Sequence, residues 1–281
     1  MDRTKIIACL SLLAAACGGP RRIVIGSKNF TEQVLLGEIL AQQIERRLGV
    51  PVERRLNLGG TMLAHEALVR GDIDLYPEYT GTALTSVLKQ PPVRESAAAL
   101  AAVREAYQAR WRLEWLPPLG FDDTFAMIVR RAEPVATLSE AAARQAWRMG
   151  AGYEFEQRPD GLDGLCKSYG LRLAGPPVTM DLGLLYAALA GGKVDMIAAN
   201  STDGLASALD VRILADDRHY FPPYQCAVVV RQEALAREPR LRAALEELSG
   251  RLPDAVMRKL NYAVDGEHRP VAEVAAGFLR Q

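Results

Sequence analysis

A strand–helix alternation that runs twice along the chain constrains its fold more than any other feature. Ile23-Val24-Ile25-Gly26 is a short β-branched run stopped by glycine. Thr31-Glu32-Gln33 then opens a helix with apolar residues at Val34, Leu35, Leu36, Ile39, Leu40 and Ile44. Gly49 closes it, Val50–Leu56 reads as a strand, and Leu58-Gly59-Gly60-Thr61 turns into a helix over Met62–Arg70. Gly71–Tyr76 follows as a short strand. This cadence predicts a mostly parallel sheet with helical cover. It restarts with strands at Phe125–Val129, Trp147–Gly152 and Val194–Ala199, and helices at Leu138–Trp147 and Leu182–Leu189. An Ala-rich helix over Pro91–Gln108 separates the halves, and Ala227–Val230 is one more strand. Helical patterns at Ala234–Leu248, Pro253–Val264 and Pro270–Leu279 complete the chain. Gly71-Asp72-Ile73-Asp74 has a counterpart in Gly192-Lys193-Val194-Asp195, each after a helix rich in Ala and Leu. Two α/β lobes are expected, with a ligand cleft at strand C-terminal ends and helix N-termini. A single doubly wound domain is the alternative.

Composition removes several function classes. The 281 residues carry 34 basic and 34 acidic side chains, so nothing resembles the basic excess that displaces counterions from nucleic acid. No apolar run reaches the ~18–20 residues needed to span a bilayer. His65, His219 and His268 are isolated from one another and lack a Cys or His partner at ligand spacing. Neither a Gly-x-Ser-x-Gly elbow nor a Walker-type loop occurs. Gly150-Ala151-Gly152 follows a strand, but Phe155 stands where a third glycine belongs. Asp72, Asp74 and Glu78 could form a metal or acid/base group, with strand alternation placing the two aspartates on one face. Surface and hinge roles are commoner for such residues, and catalysis is not expected.

The N-terminus reads as an address. Arg3 and Lys5 precede an uninterrupted apolar or small run from Ile6 to Ala16, and Ala14-Ala15-Ala16 leads into Cys17. These are the parts of an export signal over 1–16. A cysteine directly after them resembles a bacterial lipobox, making Cys17 the lipid-anchored mature terminus and 17–21 a tether. A buried N-terminal helix is the alternative, which Gly18-Gly19-Pro20 opposes. Removing Asp2, Arg3 and Lys5 with the signal leaves 32 basic and 33 acidic residues. The mature chain is expected outside the cytoplasm, held to a membrane by lipid. Cys166 and Cys226 remain; a disulfide suits an oxidising compartment, but two free thiols are the favoured reading.

Three loops look like ligand grips. Ser27-Lys28-Asn29-Phe30-Thr31 lies between strand and helix, where backbone amides and Lys28 suit an anion. Tyr76-Pro77-Glu78-Tyr79-Thr80-Gly81-Thr82 reads as a proline- and glycine-bounded aromatic turn, and Tyr220-Phe221-Pro222-Pro223-Tyr224 as a second. With 6% aromatic residues in the chain, two such clusters carry weight, although each tyrosine alone is as readily core packing.

Extended to Ser27–Gln33 and Gly71–Thr82, and with Arg158-Pro159-Asp160-Gly161, Ser201-Thr202-Asp203-Gly204 and Phe221-Pro222-Pro223-Tyr224, these stretches come in one order over residues 22–280. Together they resemble the substrate-binding proteins of quaternary-ammonium ABC importers, the glycine betaine/choline/carnitine osmoprotectant group. The resemblance implies a type 2 periplasmic-binding fold: lobe 1 from 22–120 plus 222–281, lobe 2 from 121–221, a hinge, and a cleft between. It implies a cage of ring faces for a trimethylammonium, which has no N–H to donate, each face worth about 0.5–2 kcal/mol. It also implies a cationic grip for a carboxylate. By position Tyr79, Phe125 and Tyr224 match cage rings, Thr82 a nearby hydroxyl, and Lys28 and Arg158 the carboxylate grip. Choline-restricted members tend to carry an acidic residue at the Thr82 position. Asn200 stands where a further cage tyrosine is common, and its amide needs a partner in a closed cleft. The implied partners are a small zwitterion such as glycine betaine or carnitine and the membrane permease; no cofactor is implied. Alternatives are another polar or betaine-type solute such as ergothioneine, or an enzyme on a related two-lobed fold.

Overall fold

The computed structural model describes residues 22–144 and 146–281. The expected signal 1–16, tether 17–21 and anchor Cys17 lie outside the described residues. The first half runs β1 (Ile23–Gly26), α1 (Thr31–Leu48), β2 (Val52–Arg55), α2 (Thr61–Arg70), β3 (Leu75–Tyr79), α3 (Thr80–Thr82), a π-helical turn (Ala83–Val87), α4 (Ser96–Trp111) and β4 (Leu113–Trp115). The middle holds β5 (Phe125–Arg130), α5 (Leu138–Ala142), β6 (Met149–Ala151), α6 (Tyr153–Gln157) and α7 (Leu162–Tyr169). It continues through β7 (Val178–Thr179), α8 (Leu185–Ala190), β8 (Met196–Asn200), α9 (Leu205–Ala208) and β9 (Val211–Ile213). After β10 (Cys226–Arg231) the chain ends in α10 (Gln232–Arg237), α11 (Leu241–Glu246), α12 (Asp254–Asp265) and α13 (Val271–Leu279).

These strands form two separate five-stranded sheets, β2-β1-β3-β10-β4 and β7-β6-β8-β5-β9, which sets the single-domain alternative aside. The two orders match position for position. In each, one strand (β1 or β6) pairs in parallel with two neighbours, and the fourth (β10 or β5) runs antiparallel to those beside it. The Gly71 and Gly192 motifs mark equivalent points of this repeat. Both glycines have positive φ, 80° and 68°, which an L side chain resists. Each turns the chain out of a helix and into β3 or β8.

Strand alternation builds the layers. In β10, Cys226, Val228 and Val230 face a core shared with α1, α12 and α13, whereas Ala227 and Val229 face one shared with α2 and α4. In β5, Met127 and Val129 face α5 and α7, and Ala126 and Ile128 face α8. Both strands are covered on two sides, which explains their continuous apolar runs. α1 seals the first core through Leu35, Leu36, Ile39, Leu40 and Ile44, all at most 1% exposed; truncating one such Leu to Ala costs about 2–5 kcal/mol. Two connecting segments lie side by side between the sheets. Asp122 and Gln225 form an antiparallel bridge, and the Tyr224 amide donates to Asp122 Oδ1 at 2.9 Å.

Several elements differ from the sequence expectation. Tyr76–Tyr79 is not a turn but part of β3. Val228 sends its carbonyl to the Leu116 amide, so its pairing with Pro77 is a non-hydrogen-bonded one, and proline loses no bond to β10. Gly71–Asp74 forms the turn before this strand. The helix expected to reach Trp147 stops at Ala142, because Trp147 bridges Leu173 and donates its indole N–H to the Ala141 carbonyl at 2.9 Å. α4 starts at Ser96 rather than Pro91, where the Glu95 carboxylate accepts from the Ala97 and Ala98 amides. Among the described residues no helix is long and apolar enough to cross a membrane. Cys166 on α7 and Cys226 on β10 are free thiols.

Candidate functional site

A cleft of about 870 Å³ is lined from both sheets' lobes, and Lys28, Tyr79, Thr82, Phe125, Arg158, Asn200 and Tyr224 all border it. The fold explains the convergence. Tyr79 ends β3, Asn200 ends β8, and Lys28 follows β1, so three strand C-terminal ends point to one place. Phe125 opens β5 directly opposite Asn200 in the β5–β8 register. Arg158 closes α6, and Tyr224 sits on the connecting segment before β10.

Arg158 is built into a network. Its Nε and Nη2 donate to Asp160 at 2.9 and 2.6 Å, its Nη1 to Thr82 Oγ1 at 2.9 Å, and its Nη2 also to Thr85 Oγ1 and Tyr224 Oη at 3.2 and 3.3 Å. A guanidinium has five N–H donors, and here one Nη1 hydrogen has no acceptor among the described residues. Burial works against both charges of the Arg158–Asp160 pair, yet their bonding and attraction win: the carboxyl lies below its usual range and the guanidinium's pKa is raised. The guanidinium carbon also lies 5.0 Å from the Phe125 ring centroid and 5.4 Å from that of Tyr224.

Lys28 is likewise committed. Its Nζ meets Glu78 Oε1 at 2.5 Å, both side chains are buried, and it lies 5.1 Å from the Tyr79 ring centroid. Asp72, Asp74 and Glu78 do not assemble into one group. Asp74 accepts from the Val24 amide and Arg237, Glu78 takes Lys28, and Asp72 is exposed.

The opposite wall is acidic. Thr202 Oγ1 lies 2.6 Å from Glu32 Oε2 and 2.7 Å from Asp123 Oδ1, and its single hydrogen serves only one of them. Glu32 already accepts from the Tyr79 hydroxyl at 2.7 Å and the Asn261 amide at 3.0 Å. The extra proton therefore belongs on Asp123, which burial, with Glu32 beside it, pushes well above the usual carboxylate range. Asp203 accepts from Tyr186 Oη at 3.1 Å and the Asn200 amide at 3.2 Å, and burial, reinforced by Glu32 and Asp265, lifts it to about 7. Besides Asp123 and Asp203, the carboxyl groups of Glu32, Asp181 and Asp265 border the cleft, as does Glu154, whose two oxygens are engaged by Thr61. The two bases on the lining, Lys28 and Arg158, are each paired to an acid, so the carboxylate of Glu32 is not offset by a free basic group beside it.

A two-lobed fold, ring faces and an acidic wall point to a receptor for a small cationic or zwitterionic solute. The sequence profile of the substrate binding domain of the ABC-type glycine betaine transport system matches residues 21–281. The chain belongs to this family. As a member of this family of substrate-binding transport proteins, it resembles the glycine-betaine-binding protein of Pseudomonas aeruginosa, 34% identical over 99% of this chain and 94% of that one. It is 33% identical to the ergothioneine transport permease/ergothioneine binding protein of Helicobacter pylori, covering 92% of this chain. The chain spans only 47% of that relative's length. A crystal structure of a glycine betaine/carnitine/choline ABC transporter matches with a TM-score of 0.77 at 30% identity, covering 92% of this chain and 97% of that one.

Sequence reasoning about this substrate-binding protein missed the acidic wall. Glu32 read as a helix opener and, like Asp203, as part of a motif with no role of its own, and Phe155 as a broken glycine pattern. Phe155 packs edge-on against Phe125 with centroids 4.8 Å apart. The available signal was position: Glu32 and Asp203 lie within motifs already placed at the cleft.

Proposed function

We propose that this substrate-binding protein is the solute receptor of an ABC importer, taking a quaternary-ammonium zwitterion such as glycine betaine or carnitine and passing it to the permease. The observation that carries this reading is the convergence of the Tyr79, Phe125 and Tyr224 rings on one cleft with a net acidic lining. A quaternary ammonium offers no N–H, so ring faces and a negative wall are its natural partners. The spare Nη1 hydrogen of Arg158 takes the solute's carboxylate, and Thr82 fixes that nitrogen. Lys28, neutralised locally by Glu78, helps as a fixed charge beside Tyr79. Lobe 1 comprises 22–120 and 222–281 and lobe 2 121–221, closing about the paired segments at Asp122 and Gln225. Residues 1–16 direct export and Cys17 carries the lipid, placing the protein on the outer side of a membrane. The chain carries out no chemistry on its solute.

A second reading is a betaine-bearing solute with additional polar groups, such as ergothioneine. Asn200 favours it, since it borders the cleft opposite Phe125, at the place where the family resemblance expects a further ring. The Helicobacter pylori relative is consistent with it. A thermal-shift series against glycine betaine, carnitine, choline and ergothioneine tests both readings. A ligand at 100 times its Kd adds about 2.7 kcal/mol of stability. No shift with any of the four refutes the quaternary-ammonium assignment, and a shift with ergothioneine alone favours the second reading.

A further inference from the structure

α2 belongs to the lobe of the first sheet and begins at Thr61, after a glycine that has no side chain to cap it. Its first amide is nevertheless satisfied. Glu154, on α6 of the other lobe, accepts from the Thr61 amide through Oε1 and from Thr61 Oγ1 through Oε2 at 2.9 Å. A Cβ on Gly60 would lie 2.5 Å from Glu154 Oε1, so a side chain at 60 would have to displace that oxygen from its place at the Thr61 amide. The N-terminus of a ten-residue helix favours negative charge. Burial raises the Glu154 pKa, but Lys28, the Thr61 bonds and Arg158 outweigh it and keep the carboxyl below its usual range.

We infer that Glu154 is a positioning residue for solute binding: it caps α2 across the cleft and thereby holds the two lobes closed. The inference rests on the receptor reading above. When the lobes part, the Thr61 amide loses its partner and the carboxylate returns to water. The cap therefore stabilises the closed state whatever the solute, because both Glu154 oxygens are engaged by Thr61. A ligand that needs the closed state gains apparent affinity in proportion to the closed population. Removing the cap lowers affinity for every ligand by one factor, mainly through faster release, whereas a ligand-contacting residue discriminates among ligands.

Two measurements test this on the full chain. The first is hydrogen exchange at the Thr61 amide without ligand, in the wild type, Glu154→Ala, Glu154→Gln and Gly60→Ala. Exchange should be about three- to tenfold faster in Glu154→Ala and Gly60→Ala, as loss of a cap implies, and intermediate in Glu154→Gln. Equal exchange in the wild type and Glu154→Ala overturns the inference. The second is affinity for glycine betaine and choline. Both should weaken by the same three- to tenfold in either Ala variant, with no further loss in the double variant. Additive losses, or losses confined to one of the two ligands, overturn it. If neither ligand binds the wild type, the receptor reading loses those ligands, and the exchange series decides the cap alone.

Discussion

The guanidinium of Arg158 lies over the Phe125 ring at 5.0 Å, so a cation of the protein already covers a ring that the family resemblance assigns to a cation of the ligand. Under the proposed reading, cage and grip are thus one assembly rather than two ends of a pocket. Arg158 lies over both Phe125 and Tyr224, and in that reading an ammonium is left the ring surfaces that the guanidinium does not cover.

The same assembly makes Arg158 a structural residue. Asp160 is 5% exposed, and Arg158→Ala leaves its charge buried without its main partner. The expected loss is about 3–5 kcal/mol of unfolding free energy, read by urea denaturation. Adding Asp160→Asn should recover most of it, because the unpaired charge then disappears. An equal loss in the single and double variants would contradict the ion-pair explanation. In that double background, glycine betaine should lose more affinity than choline, which has no carboxylate.

Tyr224 separates ring from hydroxyl. Its hydroxyl bonds Asp160, and its ring borders the cleft. Tyr224→Ala should weaken a quaternary-ammonium ligand roughly tenfold or more in calorimetry, and Tyr224→Phe much less. Equal losses would assign the effect to the Asp160 bond instead of the ring face.

Asn200 offers the converse change. It ends β8 opposite Phe125, with its backbone amide on Asp203 and its side chain at the cleft. Asn200→Tyr adds a ring at that place and should raise glycine betaine affinity by about tenfold. Weaker glycine betaine binding together with lost ergothioneine binding would instead mark the amide as a ligand contact.

Asp203 sets a pH dependence. Its folded pKa, near 7 against an ordinary 3.8, means that the folded state holds the proton more tightly than the unfolded chain. Its stabilising contribution is complete below about pH 4 and is lost as pH rises to about 7. Asp203→Asn should therefore melt higher than the wild type at pH 8, with the difference shrinking towards pH 4. A difference that stays constant with pH would contradict this titration.

The repeated topology was legible because it rests on local periodicity: the paired Gly-x-x-Asp motifs mark the same turn in both sheets. Lys28, Tyr79, Thr82, Arg158 and Tyr224 could be singled out because they stand inside the motifs and Asn200 because it stands directly before one, whereas Phe125 was matched by position alone; all seven border one cleft. The partners were not legible. Lys28 meets Glu78 and Glu32 meets Thr202 across 50 and 170 residues, and such pairings exist only after the sheets assemble. Tyr76–Tyr79 looked like a turn because proline and glycine dominate local reading, whereas the neighbour that makes Pro77 harmless lies in β10. Whole-chain neutrality likewise concealed the acidic wall, since balance over 281 residues says nothing about one cleft.

Titration calorimetry of the full chain with glycine betaine, carnitine, choline and ergothioneine tests the central claim most directly. At least one of them should bind with a Kd below about 1 mM, and that affinity should fall roughly tenfold or more in Tyr224→Ala. No binding below about 1 mM by any of the four would contradict the assignment of this cleft to a quaternary ammonium.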